Sequence, residues 1–127
     1  MSSQSDSLDA LLPLREPTFF ILLSLAPGAQ EGESKHGYAI LKQVEALSRG
    51  KVRLSTGTLY EALARLLDQG LVQRLDEPEV EDAGAHPGKP RKAYRLTRLG
   101  RRALDAERQR LQALLDAAHA VLANVPE

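Results

Sequence analysis

The chain contains no cysteine, which excludes a disulfide framework, a thiolate metal site and a cysteine nucleophile. Tryptophan is absent as well, and the aromatics are two Phe and three Tyr. Val and Ile are scarce, 8 together against 23 Leu and 17 Ala, a balance that favours helix over sheet. No apolar run approaches the ~20 residues of a membrane span, so no membrane partner is expected. The N-terminus lacks the basic-then-apolar order of a signal peptide, and the expectation is a cytoplasmic protein. The three histidines, His36, His86 and His119, lie far apart, and no nucleophile elbow is present. Residues 84–89 (GAHPGK) are one residue short of a phosphate loop, lack its final Ser or Thr and precede Pro90. No catalytic residue, metal site or cofactor is therefore expected.

A surplus of charge is also missing, since the formal net charge is zero. Its distribution is uneven. Residues 76–82 carry five acids and no base, while residues 89–110 carry nine Lys and Arg against Asp105 and Glu107. Local clustering sets a field, whatever the total. The competing reading is an ordinary solvated helix face.

At 127 residues the chain is one domain with extensions. Residues 1–15 read as a flexible N-terminal extension, with a helical turn around residues 8–12. Pro17 suits the first turn of a helix, and residues 18–26 (TFFILLSLA) are apolar nearly all round. Such a helix needs cover on more than one side, which points to a partner subunit. Residues 27–35 form a loop. Residues 36–48 form a second helix with Ile40, Leu41, Val44 and Leu47 inward, and residues 51–54 are a candidate for a very short strand.

Residues 54–71 (LSTGTLYEALARLLDQGL) organise the rest. Ser55 suits an N-cap, Leu59, Leu63, Leu66 and Leu67 recur at helical spacing, and Gly70 suits a left-handed stop. The opposite face is assigned Thr56, Tyr60, Ala64 and Arg65. The period then changes to two: residues 71–75 and 93–96 read as a hairpin, with Lys92 at its edge and a long loop over residues 77–90. Thr97 caps a last helix over residues 98–122, whose Leu104, Leu111, Leu114, Leu115, Ala118 and Val121 form a heptad-like seam suited to a second chain. The fold class expected is mainly α (α+β): a winged helix-turn-helix over residues 16–96, with a two-stranded wing. A long C-terminal dimerisation helix follows over residues 97–122, and residues 123–127 are a tail.

Several short motifs now stand in order: His36-Gly37-Tyr38, Gly57-Thr58-Leu59-Tyr60, Arg65-Leu66, Gly70-Leu71, and R-K-x-Y-x-L-T over residues 91–97, followed by Gly100-Arg101. In this order and spacing they closely resemble the PadR family of transcriptional regulators, across roughly residues 16–122. The single terminal helix looks like the family's shorter subgroup. The resemblance implies a homodimeric repressor on a palindromic operator, held by its last and first helices. In some members a small aromatic or cationic effector releases the DNA. The chain departs from the family in having Glu61 where many relatives have proline and in a longer loop before His36. It also lacks tryptophan, so the stacking pocket of multidrug-sensing members does not carry over.

The candidate DNA-binding residues are Ser55, Thr56, Gly57, Thr58, Tyr60 and Arg65 on the recognition helix, with Lys89, Arg91 and Lys92 on the wing. Hydroxyls and the N–H groups at a helix start suit phosphate oxygens, and Gly57 admits close approach. Tyr60 suits a phosphate or a base edge, its competing role being half-buried packing. Arg65 stands within reach of local ion pairs with Glu61 and Asp68. Phe19 and Phe20 are assigned to the dimer interface and are candidates for lining a ligand pocket there, core packing being the simpler reading. The alternative function is a dimeric winged-helix module that binds protein without DNA.

Overall fold

Pro17 opens α1 (Glu16–Ser24), where its missing N–H leaves no helical bond unmade. The computed structural model describes residues 8, 10–26, 35–77 and 91–124, with the backbone alone at 76, 77 and 91. The remaining elements are β1 (Lys35–His36), α2 (Gly37–Leu47), α3 (Thr56–Asp68), β2 (Val72–Glu77), β3 (Arg91–Leu96) and α4 (Arg98–Leu122). The result is mainly helical, with one small antiparallel sheet: a winged helix-turn-helix.

The sheet order is β1-β3-β2. The β2–β3 hairpin pairs Val72 with Leu96 and Glu77 with Arg91, as the change of period leads one to expect. The two-stranded wing expected is present, and the sheet extends beyond it. Lys35 and His36 add a third, pairing with Tyr94 and Ala93. A two-residue strand is too short to show a period of two. Residues 51–54 form no strand. Val52 is buried, and its N–H donates instead to the Ser48 hydroxyl at 2.9 Å, which fixes the turn between α2 and α3.

Ile21, Leu22, Ile40, Val44, Leu59, Leu63, Leu66 and Leu71 are fully buried and form the core beneath α1, α2 and α3. The Lys35 ammonium, itself buried, donates to the Ser24 carbonyl at the end of α1, and burial pushes its pKa down. Gly70 takes φ +75°, and the Leu71 N–H returns to the Leu66 carbonyl at 2.9 Å, which closes α3. The Thr97 hydroxyl accepts from the Gly100 N–H at 3.0 Å and donates to the Gly70 carbonyl at 2.6 Å, so one side chain caps α4 and ties it to the end of α3.

Of the extension expected over residues 1–15, residues 8 and 10–15 are described. Leu8, Leu11 and Leu14, three apart, pack against the core. The Leu14 N–H also donates to the carboxylate of Glu107, which is only 2% exposed on α4. Among the described residues no helix is long and apolar enough to cross a membrane.

Candidate nucleic-acid interface

Helix α3 begins where its sequence says it should. The Ser55 hydroxyl accepts the Thr58 N–H at 3.1 Å and donates to Thr58 Oγ1 at 2.9 Å. It is therefore engaged in capping. Thr56, Gly57 and Thr58 are exposed, with the free N–H groups of the first turn beside them. A Cβ at Gly57 would meet nothing within 4 Å, so packing within the chain gives no reason for glycine there.

The buried line of α3 is Leu59, Ala62, Leu63 and Leu66. Directly opposite, by helical geometry, stand Gly57, Glu61, Ala64 and Asp68, all exposed. This corrects the outer face assigned from the sequence. Tyr60 and Arg65, five positions apart, occupy opposite flanks. Tyr60 is 39% exposed; its phenol lies against Gly37, and its ring tilts onto Tyr94 at 6.4 Å between centroids. Arg65 lines a cleft with Leu14, Arg15 and Thr18, on the flank away from Tyr60. Among the described residues it forms no ion pair with Glu61 or Asp68.

On the wing, Lys92 is exposed on β3, in register with Asp76. Arg91 stands one residue before it, its backbone paired with Glu77, and its side chain lies outside the described residues. Lys89, the loop beyond Glu77 and most of the acidic run also lie outside them. The basic stretch is less available than its count implies. The Arg110 guanidinium donates to both oxygens of Glu107 at 2.8 and 2.7 Å, and Arg108 and Gln109 donate to Asp105 at 2.9 and 2.8 Å. These bonds hold both carboxyls below the usual range and raise the pKa of Arg110. Arg95 donates to Gln73 at 3.2 Å.

Two exposed groups near α3 were not among the sequence candidates. Tyr38, adjacent to Gly37, is 71% exposed, and the Lys42 ammonium stands 5.4 Å from its ring centroid. Their spacing of four on one helix was the available signal. Lys51 and Arg53 in the turn before Ser55 are exposed too, with Arg53 at 3.5 Å from Glu45.

The residues assigned to dimerisation separate. Leu104 is buried in its own domain, whereas Leu111, Leu114, Leu115, Ala118 and Val121 are exposed on the far half of α4. Phe19 lines a small cleft of about 220 Å³ with Leu23 and Leu104, flanked by Arg101, Asp105 and Arg108. Phe20 meets it edge-on at 5.9 Å. Among the described residues no group of three His, Cys, Asp or Glu could hold a metal.

The description "Transcriptional regulator PadR-like family" matches residues 23–106. The transcriptional regulator Rv3488 of Mycobacterium tuberculosis is 41% identical over 70 residues, covering 55% of this chain and 59% of that protein. A crystal structure of a PadR family transcription regulator from Clostridium difficile R20291 is 25% identical with a TM-score of 0.63, over 85% of this chain and 99% of that one. A PadR family regulator from Eggerthella lenta is 26% identical with a TM-score of 0.59, over 97% and 98%. Members of this family are transcriptional regulators rather than enzymes. With two thirds of its residues matched and the winged helix in place, the chain belongs to the PadR-like family of transcriptional regulators.

Proposed function

We propose that the chain is a cytoplasmic repressor that binds a palindromic DNA operator as a homodimer and is released by a small-molecule effector. The observation that carries the DNA reading is the start of α3. Its first turn is exposed and capped from within, and Gly57 has open space where the fold imposes no need for glycine. A helix start of this kind receives phosphate oxygens, and Gly57 lets backbone approach backbone. Tyr38, Tyr60 and Lys92 extend the contact to the flanking phosphates. Homodimerisation is supported by the exposed apolar residues on the outer half of α4. Two recognition helices ~34 Å apart then demand half-sites about 10 base pairs apart. For the effector, the cleft beside Phe19 is the candidate near that interface.

The test is electrophoretic retardation of the DNA upstream of the chain's own reading frame at several salt concentrations. Arg91→Ala and Lys92→Ala should each weaken binding and reduce the salt slope by about one. Tyr60→Phe should weaken it without changing the slope. Unchanged affinity and slope in all three remove the proposal. The two carboxylates on the outward line of α3 favour a second reading, a winged-helix module that docks on protein. Salt-independent retention on heparin would favour that reading.

A further inference from the structure

We propose that the cleft between residues 11–18 and α3 binds a small carboxylate with an apolar body, its head held between Arg15 and Arg65. The cleft measures about 410 Å³. That falls at the small end of ligand sites, which run from roughly 300 to 1,000 Å³. Leu14, Ala62 and Leu66 give it apolar walls, and Thr18, Arg15 and Arg65 line it as well. Among the described residues no carboxylate lines it, and neither Arg15 nor Arg65 has an ion pair. Two like charges facing one cleft repel a cation and favour an anion. A guanidinium fork matches a carboxylate in shape as well as charge. The apolar walls then select an alkyl or aryl body.

One wall of the cleft precedes residue 23, where the family match begins, so the family assignment does not supply the site. The other wall is α3 itself. Leu14 is also hydrogen-bonded through its N–H to Glu107 of α4. A ligand here therefore joins α3 to the segment tied to α4. Its effect on DNA affinity rests on the function proposed above, whereas binding in the cleft does not.

Calorimetric titration of the full chain with octanoate tests the site, with octanol and octyltrimethylammonium as the neutral and cationic arms. One saturable octanoate site per chain is expected, with no saturable binding of the ammonium. Arg15→Gln and Arg65→Gln should each weaken octanoate about tenfold or more. Arg65→Lys, which keeps the charge without the fork, should retain part of the affinity. Arg101→Gln/Arg108→Gln, beside the Phe19 cleft, should leave it unchanged. The proposal is overturned by absence of saturable octanoate binding, by equal affinity in the Arg15 and Arg65 variants, or by a loss that follows Arg101 and Arg108. A chain that binds octanoate in this way without retarding operator DNA supports the cleft and overturns the DNA reading. A chain that retards DNA but binds no octanoate overturns the cleft alone.

Discussion

Tyr60 of α3 lies across the backbone of Gly37 at the start of α2: a Cβ built on Gly37 falls 2.9 Å from Tyr60 Cζ. The tyrosine thus braces the two helices of the helix-turn-helix, and its ring leans on Tyr94 of β3 at the same time. Gly37→Ala should force the phenol aside. Overpacking of this kind costs about 1–3 kcal/mol, and alanine's better helix propensity offsets up to ~1 kcal/mol of it. The expected net loss, read by circular dichroism during urea unfolding because the chain has no tryptophan, is about 1–2 kcal/mol. In a Tyr60→Ala background the same change should cost almost nothing. Equal costs in both backgrounds would show that the contact is not the reason for glycine.

Gly57 gives the opposite expectation. A Cβ there meets nothing, so Gly57→Ala should leave stability unchanged or raise it by up to ~1 kcal/mol. Operator affinity should fall nonetheless, because the added methyl stands where the DNA backbone would approach. A variant with higher stability and undiminished retardation would remove Gly57 from the interface.

Much of this arrangement could be read from the residues in advance. Ser55, Gly70 and Thr97 mark helix ends because each satisfies backbone groups locally, within a few residues. What could not be read depends on distant neighbours. Tyr60 has an exposed position on a helical wheel, but only the tertiary fold brings Gly37 beneath it. Arg65 has two acids within helical reach and forms no ion pair with either, and it lines a cleft with a segment some fifty residues away in sequence. Leu8, Leu11 and Leu14 follow a polar start that resembles a tail, and their docking depends on the core the rest of the chain offers.

Glu61 stands on the outward line of α3 between Gly57 and Ala64, both too small to reach far. If the helix enters the major groove, its carboxylate suits the amino group of cytosine, whereas glutamine suits adenine. Glu61→Gln should therefore shift preference at one position of each half-site from cytosine to adenine, by about 1–3 kcal/mol of discrimination. Selection from a randomised operator reads this directly. An unaltered consensus would show that Glu61 does not touch a base.

Acid sensitivity should follow from Glu107. Bonds from Arg110, aided by the Leu14 N–H, hold its folded pKa below the ordinary carboxylate value of about 4.3. A depressed folded pKa contributes stability that is present above the unfolded pKa and is lost as pH falls through the folded one. The melting temperature should therefore drop as pH is lowered from about 5 towards 3, and Glu107→Gln should flatten that limb while lowering stability near neutrality. An acid limb of the same slope in the variant would assign the sensitivity elsewhere.

Beyond Glu107, α4 runs on with Leu114 56% and Val121 65% exposed. With Leu111 and Leu115, two copies offer eight such side chains. At about 1 kcal/mol for each half-exposed residue, covering them yields roughly 8 kcal/mol before the cost of association. That cost is itself about 4–15 kcal/mol, so the seam leaves little margin, and α1 must add to it. Leu114→Asp/Leu115→Asp should consequently separate the chains at micromolar concentration, as read by sedimentation. The melting transition of the winged helix itself should change little, because the core lies elsewhere. Operator affinity should fall as well, since a monomer holds one half-site only. A wild-type chain that sediments as a monomer, or a variant that stays dimeric, would show that this seam does not join two copies.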